Sequence, residues 1–287
     1  MSPASDPARF HRILVALDAT TESRELLELA ADLASCFESQ LTGLYVEDED
    51  MMSFANLPIG REISSAGAGL LDLTRQQLET HFRNHAAQVR RVLEVIAGAR
   101  EISHSFDVRH GRPEREIQDA AKKTDLLAIG PRLGAILRPR GEDIRRRIPD
   151  SPADALLLVS ATPQPLAAGP VIVAFGGRRL DERSLDVAKR IAIKLGRKLA
   201  VGLIPYERGH PDMKQHLETL LRASEGETPA IEIFQTRDSG DFFSRLATRR
   251  PGLVVVADDI LEQCDWYWGR PGFPILILRN GEHGTDD

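Results

Sequence analysis

The feature that most constrains this chain is a pattern that begins again 158 residues after it first appears. A constant offset of 158 carries Ile13-Leu-Val-Ala-Leu17 onto Val171-Ile-Val-Ala-Phe175. The same offset carries Leu27 onto Leu185, Ala30 onto Ala188, Ala34 onto Ala192 and Leu41 onto Leu199, with no gap. A shared apolar run is common among buried strands. Register kept through strand, turn, helix and strand is much less so, and it reads as an internal repeat. The chain is therefore expected to be a tandem of two related α/β domains, 1–162 and 168–281. Ser160-Ala-Thr-Pro-Gln-Pro-Leu-Ala-Ala-Gly169 has the composition of a linker. It is short enough that the two halves should touch.

Each copy opens with a continuous apolar run, as expected of a strand buried on both faces. In the first copy Asp18 ends that run. Leu26, Leu27, Ala30, Leu33, Ala34 and Phe37 then recur at helical spacing. Leu41–Val46 supplies a second strand, so strand, helix and strand form a parallel βαβ unit. Residues 47–73 break the rhythm with an acidic tetrad, Met51-Met52 and scattered Gly and Ser, an excursion above the sheet. A long helix over 74–96, a strand over 103–108, a helix opened by Pro113 and a strand over 126–129 follow, the last ended by Gly130. An arginine-rich loop leads to a fifth strand over 155–159. The second copy repeats this order with strands over 171–175, 230–234, 253–257 and 274–278, and lacks the long excursion.

The 287 residues are 42% hydrophobic and 28% charged, with a net charge of -6. That is globular and mildly acidic, with no long basic face, so nucleic acid is not an expected partner. No run approaches the roughly 18 apolar residues of a membrane span. Cys36 and Cys264 lack metal-ligand spacing, and a cytoplasmic protein is expected.

The strand–Asp18–helix opening, the His110-Gly-Arg-Pro-Glu114 junction and the fourth strand ending in Gly130 resemble the universal stress protein family. The resemblance spans Arg12–Val159, and more weakly Gly169–Leu278. It implies an α/β fold, an open parallel five-stranded sheet in order 3-2-1-4-5 with helices on both faces, once in each copy. It also implies intramolecular pairing of the two halves through their fifth strands, with a homodimer as a further option. Some members bind ATP, and by resemblance the ligand residues would be Asp18, Ala19, Thr42, Gly43, Gly130, Arg132, Gly134, Arg140 and Gly141. The family's phosphate motif runs Gly, two residues, Gly, nine residues, Gly, then Ser or Thr. Here Gly134 falls one position late, Gly141 follows after six residues, and Glu142 stands at the hydroxyl position.

A phosphate site needs close backbone N–H groups, and Glu142 would repel the ligand. Nearby arginines could replace the lost glycine pattern through bidentate contacts, or could simply form a solvated ion-pair loop with Glu142 and Asp143. Copy two departs further: Gly176 stands at the place of Asp18, and Asp258-Asp259 stand at the place of Gly130-Pro131. Those adjacent aspartates more often cap a turn than hold a metal. His81 and His85 have helical metal spacing, but no third ligand is evident, and they read as surface residues. His110 begins a loop that could face the crevice. Trp266-Tyr-Trp268 could close the unused cleft. No nucleophile with its base and no metal set is present, so a binding protein of the stress response leads. A weak ATP hydrolase using Asp18, and a ligand-free dimeric scaffold, are the alternatives.

Overall fold

A computed structural model describes residues 9–17, 21–49, 75–122, 125–130, 152–159, 169–205, 212–223, 228–262 and 272–279. In the first half, β1 (Arg12–Leu17) leads into α1 (Thr21–Phe37) and β2 (Gln40–Asp48). Then come α2 (Arg75–Ala99), β3 (His104–Gly111), α3 (Pro113–Ala120), β4 (Asp125–Ile129) and β5 (Ala155–Leu158). The second half runs β6 (Val171–Phe175), α4 (Arg179–Lys194), β7 (Leu199–Leu203), α5 (Met213–Ala223) and β8 (Ile231–Gln235). It ends with α6 (Ser239–Arg249), β9 (Leu253–Ala257), α7 (Asp258–Glu262) and β10 (Ile275–Leu278).

All ten strands join one sheet in the order β3-β2-β1-β4-β5-β10-β9-β6-β7-β8. The first half has the order 3-2-1-4-5, and the second has the same order read inward from β8 to β10. Pairing is parallel except at the centre, where β5 and β10 run antiparallel with Ile275 opposite Leu158 and Leu278 opposite Ala155. Each fifth strand thereby covers the edge that the other would leave unpaired.

The apolar runs explain the centre of this sheet. Every residue of β4, β6, β9 and β10 is buried. The residues matched by the 158-residue offset all lie in the core: Leu27, Leu185, Ala30, Ala188, Ala34, Ala192, Leu41 and Leu199 are at most 2% exposed. The correspondence extends to the backbone. Glu38 and Gly196 both adopt left-handed φ, 55° and 62°, just after their helices. The next N–H in each case turns back to a helix carbonyl, Ser39 to Ala34 and Arg197 to Ala192. This is a helix-terminating turn, placed twice at the same offset.

Side chains lock the two halves across the β5–β10 seam. Arg183 of α4 donates to Asp154 (Nη1 to Oδ1, 3.0 Å) and to the Arg279 carbonyl. Arg279 in turn donates to the Ala153 carbonyl at 3.0 Å. Phe10 and Phe37 meet edge to face at 5.0 Å. Arg183 and Arg190 lie over these two rings, 5.9 and 5.6 Å from their centroids, within cation–π range. Arg190 also donates to the Cys36 carbonyl at 2.9 Å.

The β2 and β3 strands run further than periodicity suggests. Ladder pairing continues to Glu47–His110 and Asp48–Gly111. His110 is thus a strand residue and not the start of a loop. Its Nδ1 lies 2.8 Å from Glu47 Oε2, and its side chain is 77% exposed. The remainder of the excursion, residues 50–74, lies outside the described residues, as do the arginine-rich loop and Trp266–Trp268. No described helix is long and apolar enough to cross a membrane.

Candidate functional site

The ends of the central strands define two equivalent crevices. β1 lies between β2 and β4. The chain leaves β1 toward β2 on one side and leaves β4 toward β5 on the other. That reversal is the switch point where open α/β sheets leave room for a ligand at the strands' C-terminal ends. In the second half the same reversal occurs between β6 and β9.

In the first crevice, Ala16 pairs with Ile129 at the top of β1 and β4, so Leu17 and Gly130 follow side by side. Gly130 is informative because packing against the described residues does not require it. A Cβ built there would lie 3.6 Å from Leu26 Cδ2, an ordinary contact, with nothing nearer among the described residues. Gly43 is the opposite case. Its Cβ would fall 2.9 Å from Leu17 Cδ1, 3.0 Å from Phe106 Cδ2 and 3.3 Å from Leu93 Cδ2. The missing side chain of Gly43 makes room for the core beneath α2. Thr42 is buried on the other face, its hydroxyl 3.0 Å from that of Ser105. Register sets Thr42 opposite Leu14 and Gly43 opposite Val15, within the sheet and short of its C-terminal rim. Asp18, Ala19, Arg132, Gly134, Arg140 and Gly141 lie outside the described residues.

The rim of the first half carries charge next to the crevice. Glu47 pairs with His110, and Arg112 Nε lies 3.1 Å from Glu49 Oε1. Arg109 contacts Glu116 from the same strand. His81 and His85 on α2 have ring centroids 3.8 Å apart. Burial, then the neighbouring His81, holds His85 below the usual imidazole range. Among the described residues, no group of three or more His, Cys, Asp or Glu could hold a metal ion. Cys36 is a buried free thiol. Burial above all, then Asp32, pushes it up to about 12, so it is not a nucleophile.

In the second half the same place carries a network of hydrogen bonds and ion pairs within the chain. Gly176 and Arg178 N–H both donate to Asp181 Oδ2, at 3.2 and 3.0 Å. Asp181 sits in the first turn of α4 with its side chain fully buried. The Arg178 guanidinium donates to the same carboxylate through Nε at 3.1 Å and Nη2 at 3.3 Å. Its Nη2 also donates to Asp259 Oδ1 at 3.0 Å, and Nη1 pairs with Oδ2. Asp258 opens α7, and its Oδ1 accepts the Asp259 N–H at 2.9 Å. Asp259 is pushed up to about 6, chiefly by burial; Arg178 opposes the rise, while Asp181 and Asp258 add to it. Beside them His216 lies 2.8 Å from Glu182 and stacks on Phe175 with centroids 6.0 Å apart. The sequence reading missed Arg178 and Asp181. The available signal was an acidic residue three positions into an apolar helical run, where Asp181 takes the N–H of the N-cap residue Arg178 as the N3 residue of a capping box does.

Together these features define a doubly wound α/β protein with one crevice rim in each half of the sheet. Residues 9–137 match the model of the Universal stress protein family. Solved structures extend the likeness of fold to the whole chain. A universal stress protein from Archaeoglobus fulgidus DSM 4304 superposes with a TM-score of 0.59 at 14% identity, covering 96% of this chain and 99% of that one. A functionally unknown protein from Pseudomonas aeruginosa PAO1 gives 0.53 at 14% identity, covering 97% and 95%. A protein of Pseudomonas aeruginosa UCBPP-PA14, described as a universal stress protein, gives 0.50 at 14%, covering 95% and 94%. At such identity the likeness is one of fold. No curated protein sequence matches the chain significantly.

Proposed function

We propose that the chain is a stress-response protein that acts by binding, with an adenine nucleotide such as ATP as the ligand of its first half. The family match of residues 9–137 supports the stress-response role. The observation that carries the ligand reading is Gly130. It stands at the switch point, at the end of β4, and the described residues leave room there for a side chain. A glycine that the core does not need is accounted for if a ligand must approach the backbone closely, as phosphates do. Asp18 directly follows β1 in the sequence. Arg132 and Arg140 would supply the charge that the altered glycine spacing no longer shapes.

In this reading the domains divide at 162–168, the second supports the first through the β5–β10 ladder, and the protein works in the cytoplasm as an internal pair. Nucleic acid and membrane are not partners. The test is equilibrium dialysis of ATP against the full chain, with Asp18→Ala and Gly130→Ala as variants. Binding that both variants weaken supports the proposal. No binding at millimolar ATP refutes it and leaves the scaffold reading. ADP release equal in the wild type and Asp18→Ala would dispose of hydrolysis.

A further inference from the structure

The second crevice has the same topological place as the first, yet a different set of charges. Three observations bear on what it can accept. The first is that the turn after β6 directs its N–H groups inward: those of Gly176 and Arg178 are both taken by Asp181 Oδ2. An incoming phosphate would need such donors, and here a buried carboxylate already holds them. The second is the placement of Arg178. One edge of its guanidinium grips Asp181 and the rest reaches across to Asp259 at the end of β9, joining the two sides of the switch point. The third is charge. Arg178 brings its positive charge to the carboxylates of Asp181 and Asp259, with Asp258 adjoining, so carboxylates already stand where an anion would have to sit. Like charge at these separations repels an anion.

We propose that the second crevice is closed by an internal charge clasp, with Asp181 and Asp259 bound to Arg178 where a phosphate-bearing ligand would otherwise sit, so that the chain offers such ligands a single crevice, in its first half. The inference rests on the nucleotide reading only for what the first half binds; the closure of the second half stands apart from it. Asp259 is the more exposed member. Its side chain is 37% exposed, whereas Asp181 is fully buried and anchors α4. The elevation of Asp259 to about 6 is consistent with a carboxylate held in place by neighbours against the preference of its surroundings. Loss of both carboxylates would take from the Arg178 guanidinium and from the Gly176 and Arg178 N–H groups the acceptors they now share, and a guanidinium fork beside backbone N–H groups suits phosphate.

The experiment counts ATP bound per chain by equilibrium dialysis for the wild type, for Asp181→Ala with Asp259→Ala, and for that pair combined with Arg178→Met. Both carboxylates are removed because Asp181 alone holds the Gly176 and Arg178 N–H groups, and far-ultraviolet circular dichroism confirms that each variant is folded. The expected result is one more equivalent in the carboxylate pair variant than in the wild type, lost again when Arg178→Met is added. A wild type that binds none, with one equivalent gained in the pair variant, would remove the first-half reading and leave the clasp intact. Two equivalents in the wild type would overturn the clasp. So would no gain in the folded pair variant.

Discussion

Gly43 and Gly130 offer a direct comparison between a glycine that packing requires and one that packing against the described residues does not. Alanine at position 43 would push a methyl group to within 2.9 Å of Leu17 and 3.0 Å of Phe106. Overpacking a close-packed core costs about 1–3 kcal/mol. Replacing a strand-interior glycine returns about 0.5–1 kcal/mol of backbone entropy. The net expectation for Gly43→Ala is a loss of about 1–2 kcal/mol by these two estimates. Among the described residues, alanine at position 130 meets only Leu26, at 3.6 Å. With no clash and no left-handed φ, the unfolded-state term dominates, so Gly130→Ala should be neutral or stabilising by up to about 1 kcal/mol. Urea unfolding of the two variants and the wild type measures both values, with the slope expected unchanged. ATP dialysis then separates the roles: Gly130→Ala should lose affinity while folded Gly43→Ala keeps it. Equal destabilisation by the two substitutions, or unaltered ATP affinity in Gly130→Ala, would show that the steric distinction between them is mistaken.

Other expectations concern the seam, the clasp and the thiol. Asp154→Ala should cost about 3 kcal/mol, the low end for breaking a buried pair, because both partners are 17% exposed. Adding Arg183→Met should recover part of that loss in urea unfolding, and strictly additive losses would count against the pair as a latch. Asp259 binds its proton more tightly in the folded state, about 6 against an ordinary 3.8. Its contribution to stability is therefore full below about 3.8 and is lost as pH rises through 6. Asp259→Asn should remove that slope, and a pH profile of thermal unfolding that is identical to the wild type would contradict it. In a Cys264→Ser background, Cys36 should resist iodoacetamide until the chain is unfolded, because its thiol is pushed up to about 12. Rapid alkylation of the native protein would refute this.

Much of the fold was legible because its signals are dense. Leu27 and Leu185, or Ala34 and Ala192, are core residues in matched helices, and burial on that scale leaves a periodic trace. The ends of β2 and β3 were not legible. Glu47, Asp48, His110 and Gly111 pair as strand residues through backbone bonds, which charged edge positions do not advertise. The candidate site was harder still. Thr42 and Gly43 are placed well as strand residues, but the register sets them within the sheet, and Gly43 answers to Leu17, Phe106 and Leu93. Asp258 and Asp259 were read as turn-capping residues. Asp258 does cap locally, but the partner of Asp259 is Arg178, 81 positions away. Such a pairing has no local spacing to betray it.

The two halves can differ this much at their crevices because fold and site draw on different residues. The sheet depends on dozens of buried apolar positions spread across both copies, which form one continuous core. A crevice depends on a handful of side chains at the strand ends. Exchange of those few charges costs little packing, as Arg178 shows by satisfying Asp181 and Asp259 together. The second half also has a reason to persist without a ligand. β10 completes the pairing of β5, and α4 carries Arg183 and Arg190 onto Phe10, Phe37 and Asp154. Removing the second half would expose the edge of β5 and leave Asp154 without its arginine. Its own crevice, meanwhile, is free to close, because what the first half requires from it is the seam and not the site.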